Sequence, residues 1–115
     1  MGYYTAYSLT VKGDEERVAQ FEKELVARSE EDAAVQDLVE MGAVYAKLYY
    51  IEDWISDIAP NYPDLLVILN GDGEESDDLW EERWRGNDFE RKEAVIPPFT
   101  NPNLLTEYEK SKLNS

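Results

Sequence analysis

The sequence contains neither cysteine nor histidine. Without cysteine there is no disulfide, no thiolate metal ligand and no thiol nucleophile, so the core alone must hold the fold together. Without histidine the chain lacks the side chain that most often serves as general base or metal ligand near neutral pH, and serines such as Ser8 and Ser56 have no activating partner. These absences predict a protein that is not an enzyme and that uses no cofactor and no metal.

Long apolar runs are also missing. The most apolar stretch, residues 65–69, is far too short to cross a membrane, and the start Met1-Gly2-Tyr3-Tyr4 shows no basic region followed by an apolar one. We therefore expect a soluble protein of the cytoplasm without a membrane partner.

Basic residues are scarce: 11 Lys and Arg stand against 26 Asp and Glu, which gives a formal net charge of −15. This balance opposes direct nucleic-acid binding, because such affinity comes mainly from cations that displace counterions from phosphates. It favours fast, electrostatically steered association with a basic protein surface. The competing interpretation is that the acidity only keeps the protein soluble. The charge does not predict an oligomeric state.

The 115 residues suit one domain, and the 43% of hydrophobic residues, including 8 Tyr and 3 Trp, predict a folded chain. Periodicity and capping signals predict a strand over residues 3–12 and a helix after Asp14. The polar break 29–32 can cap a second helical piece up to Gly42, so the segment forms either one helix or two. A strand over 43–51, a helix over 52–59, a central strand over 65–69, and a hairpin of residues 79–85 and 89–96 follow. Asn70 to Gly73 reads as a turn, and Asn103 as the cap of a last short helix.

The element order β-α-(α)-β-α-β-β-β predicts an α+β fold. It favours a single mixed, mainly antiparallel sheet with helices on one face, a ferredoxin-like variant, followed by a short C-terminal helix. We assign residues 1–98 to this domain and residues 99–115 to a tail.

Three features of the second half invite a chemical interpretation. The acidic loop 70–78 has the oxygen ligands of a Ca²⁺ site but not the spacing of an EF-hand, so a solvated turn is favoured. Carboxylate pairs among Asp77, Asp78, Glu81 and Glu82 suit acid and base roles only if burial shifts their pKa values. Trp80, Glu82 and Trp84 alternate towards the core, and the hairpin cations are expected to pair across the strands with its acids: Arg83, Arg85, Arg91 and Lys92 with Glu81, Glu82, Glu90 and Glu93.

Two stretches carry a resemblance to a known family: Tyr7-Ser8-Leu9-Thr10-Val11 running into Gly13-Asp14-Glu15-Glu16, and Tyr62-Pro63-Asp64 leading through an apolar strand to Gly73-Glu74-Glu75-Ser76. In these the chain resembles small ferredoxin-like proteins of phages, plasmids and prophages, of the YubB/Api92-like type. The resemblance implies a mobile-element origin, a location in the host cytoplasm, and action by binding and disabling a host factor. It supplies no catalytic residue.

We therefore expect a non-enzymatic inhibitor that blocks a basic site of a host defence protein, including one that handles nucleic acid, as in anti-CRISPR or anti-restriction activity. The predicted partner-binding residues are Asp72, Glu74, Glu75, Asp77 and Asp78, supported by Glu15, Glu22, Glu30 and Glu31. The alternatives are an immunity or antitoxin-type protein that neutralises a toxin, and a domain that binds a small ligand or nucleotide.

Overall fold

A computed structural model describes residues 4–73, 79–93, 100–107 and 110–111. Its elements are β1 (Thr5–Lys12), α1 (Glu15–Arg28), α2 (Ala33–Met41), β2 (Ala43–Ala46), α3 (Ile51–Ile58), β3 (Leu66–Gly73), β4 (Leu79–Arg85) and β5 (Asp88–Glu93), with 3₁₀ turns at Ala59–Asn61 and Pro102–Leu104. The predicted α+β class and element order are confirmed.

One five-stranded sheet has the order β2-β1-β3-β4-β5. The prediction of a mixed sheet is wrong for the hydrogen-bonded neighbours, because every adjacent pair is antiparallel. β3 occupies the centre, as expected for the most apolar run. Because β2 and β3 each run antiparallel to β1, they are parallel to each other, and α3 connects them past β1.

A single core joins the sheet to the helices. Tyr7, Leu9, Val67, Leu69 and Trp84 contribute one set of alternating strand positions, and all are buried. The helices contribute apolar side chains at three- and four-residue spacing: Phe21, Leu25, Val35, Leu38, Ile51, Ile55 and Ile58. Removing each such side chain from water contributes about 1.5–3 kcal/mol. Ile68 is buried outside this cluster, on the alternate strand positions.

Capping residues divide residues 14–42 into two helices. The Asp14 carboxylate accepts from the Arg17 amide at 3.3 Å, and the Asp32 carboxylate accepts from the Ala34 amide at 2.8 Å. Gly42 ends α2 at φ 81°, a left-handed conformation that glycine adopts at little cost. Because Asp32 caps a separate helix, this segment forms two helices and not one.

Two predicted boundaries are wrong in the middle of the chain. The strand expected over residues 43–51 ends at Ala46, and Ile51 instead begins α3 with its side chain buried. Residues 70–73, expected to turn, extend β3, because β1 is eight residues long and pairs with β3 as far as Thr5 opposite Gly73. The Trp80 ring lies across Gly71, where a Cβ atom would overlap it.

The hairpin turns through Gly86 and Asn87, with Arg85 paired to Asp88. Gly86 has φ 59°, a positive value that the first position of a tight hairpin turn requires. Nearer the C-terminus the predicted cap is wrong: Asn101, not Asn103, caps the 3₁₀ turn by accepting from the Asn103 amide at 3.0 Å. Leu104 is 65% exposed, so this turn does not bury its apolar residue.

Candidate functional site

The negative charge is unevenly distributed along the fold. Residues 13–42, which form α1 and α2, hold ten acidic and three basic residues, a net charge of −7. Residues 79–93, which form the β4–β5 hairpin, hold five acidic and four basic residues, a net charge of −1. The helical pair therefore carries more uncompensated negative charge than the hairpin, and it should attract a basic surface more strongly than the hairpin does.

A surface groove of about 510 Å³ runs between α1 and α2. We call it the α1–α2 groove and define it by its lining: Ala19, Glu22, Lys23, Val26, Ala27, Glu31, Gln36, Val39 and Glu40. Its α1 members recur at three- and four-residue spacing, so they form a stripe beside the one that faces the core. The lining thus combines four valine and alanine side chains, which we call the floor, with three carboxylates, which we call the rim, and Lys23 and Gln36 complete it.

The rim carboxylates form no ion pair with the cations that the structure describes. Among the described residues, no ion pair includes Glu22, Glu31 or Glu40. The two arginines of α1 point elsewhere: Arg17 pairs with Asp64 at 3.0 Å, and Arg28 pairs with Asp57 at 3.0 Å. Burial without a compensating cation raises the pKa of Glu22. A lysine or arginine of a partner would relieve that cost.

The turn between the helices places the acids at one end of this surface. Glu30 and Glu31 both adopt left-handed backbone conformations, at φ 57° and 62°. Their amides donate to the carbonyls of Ala27 and Val26 at 3.0 Å, which satisfies the end of α1. Non-glycine residues rarely adopt this conformation, so the turn is held by its hydrogen bonds and the Asp32 cap.

The predicted binding residues fall into three groups. Glu22 and Glu31 line the α1–α2 groove, while Glu15 and Glu30 lie exposed on α1 and on the turn that follows it. Asp72 is exposed on β3 and lines a different cavity, so the structure does not bring it to the groove. The other four, Glu74, Glu75, Asp77 and Asp78, lie outside the described residues. Sequence reasoning missed Glu40, Val26 and Val39, although the three- and four-residue spacing beside the core stripe is readable.

The cavity that includes Asp72 lies mainly among the alternate strand positions that do not join the core. It measures about 530 Å³, and its lining includes Ala6, Ser8, Asn70, Leu79 and Glu81. Here the acid is already satisfied: Glu81 accepts from Asn70 Nδ2 at 2.7 Å and from Arg83 Nε at 2.6 Å. These two hydrogen bonds, Asn70 first, lower the pKa of Glu81. Its charge is therefore engaged within the protein.

The hairpin also carries a buried carboxylate on the core side. Glu82 is 2% exposed and accepts from Arg91 through Oε2 at 3.2 Å, while its Oε1 has no hydrogen-bond donor among the described residues. Arg91 lies 3.7 Å from Glu52 and 4.8 Å from the centroid of the Trp80 ring. Burial, followed by the charge of Glu52, raises the pKa of Glu82 to about 7. The expected inward alternation of Trp80, Glu82 and Trp84 is confirmed, but Glu52 was missed.

A carboxyl group with a pKa of about 7 beside a second carboxylate is the chemistry of an acid–base pair. When protonated, Glu82 becomes a hydrogen-bond donor, and the neighbouring Glu52 carboxylate is the natural acceptor. However, neither the α1–α2 groove nor the cavity at Asp72 includes Glu52 or Glu82. The pair therefore brings α3 and the hairpin together through Arg91 and lies outside both of these surface cavities.

Comparisons with known proteins leave the class of the protein open. No protein-family model, no curated protein and no solved structure matches the chain. Within the described ranges, no helix is both long and apolar enough to span a membrane, and no group of three or more acidic side chains is arranged to hold a metal ion. The resemblance to YubB/Api92-like proteins therefore stays a prediction.

Proposed function

We propose that this protein is a non-enzymatic acidic inhibitor that occupies the basic surface of another protein. In this proposal the chain comes from a phage or another mobile element and works in the host cytoplasm. Its target is a defence protein whose basic surface otherwise binds nucleic acid, so that occupation by carboxylates excludes the natural ligand. Anti-CRISPR and anti-restriction activities are of this kind.

The proposal rests mainly on the α1–α2 groove, because its three carboxylates form no ion pair within the described residues. Acidic residues that only maintain solubility need no apolar side chains beside them, whereas a binding surface combines apolar contact with charge complementarity. The hairpin supplies the contrast, because Arg83, Arg91 and Lys92 each pair there with a nearby acid. The three carboxylates of the α1–α2 groove, in contrast, form no ion pair among the described residues.

A second candidate function is that of an immunity or antitoxin-type protein that neutralises one toxin. Such a protein needs an aromatic anchor as well as charge, since tyrosine and tryptophan dominate binding hot spots. Tyr45, Tyr49 and Tyr50 are each more than 60% exposed, and Tyr45 stacks on Tyr4 at 5.2 Å between ring centroids. These rings near β2 favour this second candidate over a small-ligand domain.

We also propose that the fold is a ferredoxin-like variant with its helices on one face of the sheet. The unit β2-α3-β3 encloses β1 between two parallel strands, which is the split βαβ arrangement of that class. The buried side chains of all three helices join the same core as the alternating residues of β1, β3 and β4, which supports a single helical layer.

The test is affinity capture from a host lysate with two matched variants. The helix-layer variant replaces Glu15, Glu22, Glu30 and Glu31 with Gln. The hairpin variant replaces Glu81, Glu90 and Glu93 with Gln and Asp88 with Asn, which removes the same number of charges.

We expect the wild type and the hairpin variant to retain a basic protein that salt elutes, and the helix-layer variant to lose it. The captured protein should then lose its nucleic-acid binding when the wild-type chain is added at an equimolar ratio. Equal retention by both variants, or full nucleic-acid binding in the presence of the captured complex, contradicts the proposal.

A further inference from the structure

The α1–α2 groove is long enough to bind a short helix. Its α1 lining extends from Ala19 to Ala27, which is about 12 Å at 1.5 Å per residue, so the groove accommodates about two helical turns. On α2 the lining extends from Gln36 to Glu40. A groove between two helices is a common docking site for a third.

The floor of the groove is narrow and apolar. Val26 and Val39 pack against the core but stay partly exposed, and Ala19 and Ala27 are exposed beside Val26. Two alanines on the same stripe leave room for the side chains of a docked helix, because ridges of one helix fill grooves of another. The floor therefore fits a docked helix whose apolar stripe is about two turns long.

The rim of the groove determines the charge of the occupant. Glu22, Glu31 and Glu40 line the groove together with the floor, and Lys23 is the one cation of the lining. The cost of burying Glu22 falls when a cation approaches, since an opposite charge favours the ionised carboxylate. A second copy of this chain is disfavoured, because each copy carries a net charge of −15.

Building on the proposed function, we infer that the groove binds an amphipathic basic helix of the partner protein. Its apolar residues at i, i+3, i+4 and i+7 contact Val26 and Val39. Its lysines and arginines on the flanks pair with Glu22, Glu31 and Glu40. The blocked site on the partner is thus a basic helix, the element that many proteins insert into nucleic acid.

The experiment uses two synthetic peptides of about 14 residues, near the length at which an isolated helix is marginally stable. Both contain the same numbers of Lys, Leu and Ala. One places Leu along a single helical stripe, and the other has the same residues in an order without a stripe. Calorimetry gives the affinity of each, and methyl NMR of the full chain locates the contact.

We expect the striped peptide to bind about tenfold or more tightly than its scrambled counterpart, which corresponds to burying one to two leucines. The methyl signals of Ala19, Val26, Ala27 and Val39 should shift. Val26→Ser with Val39→Ser should abolish the preference for the striped peptide. Val44→Ser is the matched control, because Val44 is also a partly buried valine packed on the core but lies in β2.

Three outcomes would overturn the inference. If both peptides bind equally and the binding weakens with salt, the groove does not select a helix, and the inference is wrong. The proposed recognition of a basic surface through charge is then still supported. If the shifts appear at Ala6 and Leu79, the occupied cavity is the one at Asp72. If neither peptide binds at low ionic strength, the proposed function fails as well, because an acidic surface used for recognition must attract a basic peptide.

Discussion

The helical pair α1–α2 and the β4–β5 hairpin use charged residues in opposite ways. On the hairpin, Arg83, Arg91 and Lys92 each lie within 4 Å of a carboxylate, and even the buried Glu82 has a cation. Around the α1–α2 groove, three carboxylates have no such partner among the described residues. The net charge of −15 is therefore unevenly compensated: three hairpin cations pair with carboxylates, whereas the three groove carboxylates form no ion pair within the described residues.

The largest expected effect comes from removing the cation that pairs with the buried Glu82 of the hairpin. Replacing Arg91 with Met keeps the side-chain stem on Trp80 but leaves Glu82 buried without a cation. We expect a loss of about 2–4 kcal/mol in the free energy of unfolding at about pH 8, measured by urea denaturation. The loss should shrink at about pH 5, where Glu82 is protonated.

Lys92→Met is the control, because the Lys92 side chain is 81% exposed and its ion pair with Glu90 is a surface one. If Arg91→Met and Lys92→Met had equal effects, the buried ion pair would have no special role in stability.

The next effect concerns the proton on Glu82. Its pKa is about 7 in the folded chain against 4.5 when unperturbed, so the folded state binds more protons between these values. The contribution of Glu82 to stability should therefore fall as pH rises from about 4.5 to about 7 and stay lowered above. Replacing Glu82 with Gln should raise the free energy of unfolding by about 1–3 kcal/mol at about pH 8, and by little at about pH 4.

The comparison is between the wild type and Glu82→Gln across the pH range, because the protonation of other acids cancels in the difference. A constant difference from about pH 4 to about pH 8 would show that Glu82 titrates normally in the fold.

A smaller effect is expected in the turn between α1 and α2. Glu30 has φ 57°, so glycine should relieve the strained backbone there. We expect Glu30→Gly to raise the free energy of unfolding by about 0.5–1 kcal/mol, measured by thermal denaturation. Lys23→Gly, in the interior of α1, should have the opposite sign. A destabilised Glu30→Gly protein would mean that the Glu30 side chain stabilises the turn.

The smallest effect is expected from removing charge where it has no partner. The helix-layer variant loses four carboxylates, none of which is in an ion pair within the described ranges. Its melting temperature should therefore change by less than about 4 °C. The hairpin variant should melt at a lower temperature than the helix-layer variant, since it leaves Arg83 and Lys92 without partners. The reverse order would contradict the division of roles between the two regions.

Local signals predicted the parts of the fold that depend on neighbouring residues. Asp14, Asp32 and Gly42 mark helix ends through hydrogen bonds and conformations within a few residues. The turn signal of Asn70 to Gly73 failed, because pairing with an eight-residue β1 and the Trp80 ring on Gly71 outweighed local preference. Turn propensity cannot register a partner strand about 60 residues away in the chain.

The site was predictable only in part for the same reason. Alternation placed Glu82 inside between Trp80 and Trp84, but its neighbour Glu52 comes from α3, 30 residues earlier. Their meeting depends on the strand order β2-β1-β3-β4-β5, which periodicity does not encode. Glu22 and Glu31 were predicted from charge alone, whereas the groove between them requires knowing how α1 packs beside α2.

The central claim is that the local charge of α1 and α2, rather than the total charge of the chain, attracts a basic partner. Its most direct test is to measure the association rate constant of the striped basic peptide by stopped flow. The wild type, the helix-layer variant and the hairpin variant are compared in about 0.02 M and about 0.3 M salt, since screening shortens the range of the attraction. We predict that the helix-layer variant associates about threefold to tenfold more slowly than the hairpin variant at low salt, and that the gap closes at high salt. Equal rates for the two variants, which carry the same net charge, would show that only total charge matters and would contradict the account.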